Sequence, residues 1–135
     1  MADEWTEERL REELKRHFGH DAFRDGQAGA IRSLLGGRDV VLVMPTGSGK
    51  SLCYQLTALL LPGVTVVISP LIALMKDQVD ALERRGIPAT FLNSSVDGAD
   101  MAYRLDGLRA GRYKLVYVAP ERFRNRRFAY GRACH

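Results

Sequence analysis

The sequence has 135 residues, 46% of them hydrophobic and 27% charged, with a net charge of +4. That is room for one domain of ordinary size with one core, burying roughly two-thirds of the surface its unfolded form exposes, and the balance excludes disorder as the default state. No run of eighteen apolar residues occurs, and the start Met1-Ala2-Asp3-Glu4-Trp5 is acidic, so neither a membrane span nor a secretory leader is expected, and a soluble cytoplasmic protein is.

Thr6 is placed to cap a first helix, with Glu7 and Glu8 in its first turn, Leu10, Leu14 and Phe18 in one stripe, and Gly19 as its stop. A second helix carries Ala28, Ala30, Ile31, Leu34 and Leu35 and closes at Gly36-Gly37. Arg24 and Gln27 stand at its start, where they either decorate the surface or present a guanidinium and an amide to a flat heterocycle. His17 and His20 lie three apart with no third metal ligand near, and read as exposed side chains.

Val40-Val41-Leu42-Val43 then reads as a buried strand, and it breaks into Met44-Pro45-Thr46-Gly47-Ser48-Gly49-Lys50-Ser51. Leu52, Leu56, Leu59 and Leu60 follow at helical spacing. Strand, glycine loop and helix in this order make a phosphate-binding loop. Amides freed by Gly47 and Gly49 curl around phosphate oxygens, the helix N-terminus adds positive charge, Lys50 reaches the outer phosphates and Ser51 a magnesium ion. The usual pattern has glycine where this chain has Met44.

Pro62-Gly63 turns the chain into a strand at Val64-Thr65-Val66-Val67-Ile68, ended by Ser69-Pro70. Leu71, Leu74, Met75, Val79 and Leu82 predict the next helix, stopped at Gly86, and Ala89-Thr90-Phe91-Leu92 the next strand. After the polar loop Asn93-Ser94-Ser95, Asp97 caps a helix through Met101, Leu105 and Leu108; Leu115-Val116-Tyr117-Val118 is a further strand, followed by Ala119-Pro120-Glu121-Arg122. Such alternation predicts right-handed crossovers, a mostly parallel sheet, and a functional rim after the carboxyl ends of the strands. Two distant cysteines, Cys53 and Cys134, argue against a disulfide framework and a zinc site. The end of the chain from Arg104 is basic: Arg104, Arg109, Arg112, Lys114, Arg122, Arg124, Arg126, Arg127 and Arg132 face only Asp106 and Glu121, either a solvated charge run or a footprint for phosphate backbones.

Taken in order, these blocks resemble the RecQ family of DNA helicases, in helicase superfamily two. Phe18-Gly19 through Phe23-Arg24-Asp25-Gly26-Gln27 is similar to the family's adenine-recognition segment, and residues 44–55 to its phosphate loop and following helix. Ser69-Pro70-Leu71-Ile72-Ala73-Leu74-Met75-Lys76-Asp77-Gln78 and Tyr117-Val118-Ala119-Pro120-Glu121-Arg122 resemble its motifs for single-stranded DNA. The resemblance implies an α/β, RecA-like P-loop NTPase domain, with residues 1–36 as a helical segment bearing the adenine motif and 37–135 as a partial ATP-binding domain. It implies a 3'-5' DNA helicase of repair and recombination using ATP and magnesium and acting on single-stranded or junction DNA, with no stable protein partner inferred. Arg24 and Gln27 would hold the adenine, Thr46, Gly47, Ser48, Gly49, Lys50 and Ser51 the phosphates and metal, and Ser69, Pro70, Asn93, Ser94, Pro120 and Arg122 the nucleic acid. His20 and Asp25 stand where the family often has an aromatic residue and a proline.

The family's Asp-Glu-Ala-His motif, which organises magnesium and activates water, and its second domain with an arginine finger are absent from the 135 residues. The expectation is therefore a sheet cut before the Asp-Glu-Ala-His strand, a chain marginally folded by itself, and no catalytic residue, since losing such a finger alone costs roughly a thousandfold in rate. Two other readings stay open: a small P-loop phosphotransferase, and a non-catalytic nucleic-acid-binding remnant.

Overall fold

A computed structural model of the chain describes residues 5–44 and 49–124. Two compact units divide it, Met1–Pro62 and Gly63–His135.

The first unit is helical among its described residues. Helix α1, Glu7–Phe18, begins where the Thr6 hydroxyl accepts the Arg9 N–H and ends at Gly19, whose φ of 73° is the left-handed value that releases the chain. Leu10, Leu14 and Phe18 are its buried stripe, as their spacing predicts. Helix α2, Gln27–Leu35, buries Ala30, Ile31 and Leu35, and helix α3, Lys50–Leu60, buries Cys53, Leu56 and Ala58. Contacts of α3 with both α1 and α2 close this core. Of the expected α3 stripe only Leu56 is buried, and Leu52, Leu59 and Leu60 are partly exposed. Thr57 is instead buried, its hydroxyl donating to the Cys53 carbonyl at 2.6 Å.

Residues 40–43 do not form the expected strand. Val41 and Val43 are 93% and 90% exposed. A strand exists only where a neighbour supplies ladder partners, and the sheet among the described residues consists of three later segments.

Those segments are β1 (Thr65–Ile68), β2 (Ala89–Leu92) and β3 (Leu115–Val118), all parallel in the order β1-β3-β2. Central β3 is buried throughout, as a strand covered on both faces must be. Between the strands run α4 (Ile72–Arg84) and α5 (Gly98–Arg109), both of which contact β2. Leu92, Met101, Val116 and Val118 form one buried cluster, with Val66, Val96, Leu105 and Leu108 packed against it. From α4, Met75, Val79 and Leu82 are buried, whereas Leu71 and Leu74, expected in the same stripe, are more than half exposed. On the outer edge of β2, the Arg104 guanidinium donates to the Phe91 carbonyl at 2.7 Å and lies 4.5 Å over the Phe91 ring, covering an edge otherwise open to pairing. Pro120–Arg124 forms a 3-10 turn after β3.

Candidate functional site

Arg24, Gln27 and Gly49 come together in the first unit. Gly26, at φ 86°, turns the chain into α2, so that Gln27 stands on the first turn. Its backbone N–H donates to the Arg24 carbonyl at 3.1 Å, and its side-chain Oε1 accepts the Arg24 N–H at 2.7 Å. The other end of the same amide, Nε2, donates to the Gly49 carbonyl at 3.0 Å. Gln27 is 2% exposed, so these bonds form where water does not compete well. Gln27 is therefore not a surface side chain. Its amide is oriented by the two partners and ties residues 24–27 to the loop.

Gly49 is fixed by the same contact. At φ 86° it occupies the left-handed region, and a Cβ added there would lie 2.6 Å from Gln27 Nε2. It also begins α3 without a side-chain cap, which leaves the first-turn N–H groups of that helix available to an anion. Lys50 is exposed at this end and Ser51 half-exposed. Arg24, also exposed, has a guanidinium nitrogen 3.9 Å from the position of such a Cβ. Thr46, Gly47 and Ser48 lie outside the described residues. One turn into α3, burial pushes the Cys53 thiol up from its ordinary pKa.

The second unit carries a separate constellation at the carboxyl ends of its strands. The ladder continues past β1 and β3: the Ser69 N–H donates to Val118 at 3.1 Å and the Ala119 N–H to Leu92 at 3.2 Å. This aligns the loops that hold Ser69, Pro70, Asn93, Ser94, Pro120 and Arg122 along one edge. Ser69 Oγ accepts the Leu71 N–H at 3.1 Å, and Pro70, Ser94 and Pro120 are exposed. Asn93 differs from expectation, being 1% exposed. Its Oδ1 accepts both the backbone N–H and the hydroxyl of Ser95, and its Nδ2 donates to Met75 Sδ at 3.5 Å, so it shapes the loop from within. Arg122 Nε is buried without a hydrogen-bond partner among the described residues. Leu71 and Leu74 are exposed and add an apolar flank to this rim. Among the described residues no three His, Cys, Asp or Glu gather as metal ligands, and no helix is long and apolar enough to cross a membrane.

Comparison with known proteins gives a consistent picture. Residues 24–131 match the DEAD/DEAH box helicase family. The chain is 53% identical over 110 residues, 81% of its length, to an ATP-dependent DNA helicase RecQ of Bacillus subtilis, covering 19% of that protein. It is 48% identical over 125 residues, 90% of its length, to an ATP-dependent DNA helicase RecQ of Haemophilus influenzae, covering 20% of it. Over 119 residues, 85% of its length, it is 45% identical to the ATP-dependent DNA helicase Q5 of Rattus norvegicus, covering 12%. The chain thus spans about a fifth or less of the length of these relatives.

Proposed function

The chain belongs to the DEAD/DEAH box helicase family, with RecQ-like helicases among its relatives, and we propose that it is the nucleotide-gripping part of an ATP-dependent DNA helicase. One observation carries this reading above the others. The buried Gln27 amide joins the segment before α2 to the carbonyl of Gly49, so that a base-reading element and a phosphate-binding element belong to one hydrogen-bonded assembly.

In this proposal Arg24 and Gln27 hold the adenine. The loop amides of Thr46, Gly47, Ser48 and Gly49 and the N-terminus of α3 surround the phosphates, and Lys50 supplies the cation at the outer ones. Ser51 would contribute its hydroxyl to a bound magnesium ion. When bound, magnesium neutralises phosphate charge. Ser69, Pro70, Ser94, Pro120 and Arg122 contact single-stranded DNA along the rim, with Asn93 holding the loop behind Ser94. Translocation is 3' to 5', in repair and recombination.

The 135 residues hold ATP without hydrolysing it, because they contain no Asp-Glu-Ala-His motif to position water and metal. The family placement favours this reading over a small P-loop phosphotransferase. Lys50→Ala tests it in a titration with a fluorescent ATP analogue and magnesium. Nucleotide affinity should fall at least tenfold, with no phosphate released by either protein. Unchanged affinity in the variant would refute the role given to Lys50.

A further inference from the structure

Among the described residues, the positive charge of the second unit is not concentrated on the rim that carries the helicase-like motifs. In the rim segments, residues 69–71, 93–97 and 119–124, Arg122 and Arg124 are balanced by Asp97 and Glu121. At the opposite edge of the sheet the balance tips to positive. There α4 and α5 end and the strands begin, and Arg84, Arg85, Arg109, Arg112 and Lys114 face only Glu83 and Asp106.

Backbone hydrogen bonds hold these residues in one neighbourhood. The Lys114 N–H donates to the Pro88 carbonyl at 2.8 Å, the Thr65 N–H donates to the Lys114 carbonyl at 2.8 Å, and Lys114 Nζ lies 3.4 Å from the Gly63 carbonyl. Arg84, Arg85, Arg109 and Arg112 are exposed. Cations at helix ends compensate the helix dipole, which accounts for Arg84, Arg85 and Arg109. It does not account for Arg112, beyond the end of α5, whose guanidinium lies 5.5 Å from the centre of the Tyr103 ring. Nor does it account for Tyr103, 62% exposed in the middle of α5. An exposed aromatic ring beside a guanidinium, continuous with a basic edge, is the composition that takes unpaired bases and the phosphates between them.

We propose that this edge is a second binding surface for single-stranded nucleic acid, separate from the rim. Arg85, Arg109 and Arg112 engage phosphates, and Tyr103 with Arg112 offers the stacking face. The proposal does not depend on the helicase reading, because none of these residues belongs to the rim or the nucleotide site.

The test is binding of a fluorescent oligothymidylate of about 20 nucleotides to the full 135-residue chain, titrated at several salt concentrations. The double variant R85E/R112E should bind at least tenfold more weakly, and its salt slope should be shallower by about 1.4, at about 0.7 per lost phosphate contact. Tyr103→Ala should weaken binding about fivefold or more and leave the slope unchanged. Circular dichroism checks that each variant folds; if R85E/R112E does not, Arg112→Gln replaces it, with an expected slope loss of about 0.7. Affinity and slope equal to the parent's in a folded variant would overturn the proposal. So would Arg85- and Arg112-dependent binding to phosphatidylserine vesicles without binding to the oligonucleotide, which would make the edge a membrane contact.

Discussion

At Gln27 and Gly49 a side chain and a backbone turn are mutually determined. Sequence left Gln27 with two readings, because a polar residue at a helix start is commonplace on surfaces; no local pattern could reveal a bond to a residue twenty-two positions away. Gly49 was legible as a loop glycine, but its closeness to Gln27 was not. Gly49→Ala should cost about 1–3 kcal/mol in urea unfolding, since the new Cβ must displace a buried, doubly bonded amide while holding a left-handed backbone. Cys53 gives a chemical readout of the same helix. Burial raises its pKa, so the folded state keeps the thiol protonated; this contribution is fully present below the unfolded thiol's pKa and is lost as pH rises through the folded one. In a Cys134→Ser background, alkylation of Cys53 should be slow at mildly alkaline pH and accelerate sharply in urea.

Among the elements, helix boundaries were the most legible features. Thr6 and Asp97 both cap as their positions suggest, and Gly19 closes α1 in the left-handed conformation. The Asp97 carboxylate accepts the Asp100 N–H at 2.9 Å, so Asp97→Ala should destabilise the second unit by about 1 kcal/mol in thermal or urea unfolding. The strands after Gly63 were also readable, as short apolar runs between turn signals. Residues 40–43 carry the same signal without becoming a strand, because an apolar run reports a capacity for pairing and not a partner. Leu71 and Leu74 failed for a related reason: helical spacing identifies a face, while the surface that covers it is a matter of tertiary structure.

For the molecule as a whole, the chain order of motifs was legible because each carries its mechanism locally: a capped helix, a glycine loop before Lys50, polar loops after strands. The segregation of charge was not. Sequence placed nine basic residues in the last third, but only the parallel topology separates Arg109, Arg112 and Lys114 from Arg122 at opposite ends of one sheet. If Gln27 and the phosphate loop act together on an adenine nucleotide, as proposed, the chain distinguishes ATP from GTP. Calorimetric titration of the folded chain with each nucleotide and magnesium should give tighter binding of ATP, a preference that Gln27→Ala abolishes and Lys50→Ala renders moot by weakening both. Equal affinity for ATP and GTP in the parent chain, or an ATP preference that survives Gln27→Ala, would rule out base reading by Gln27.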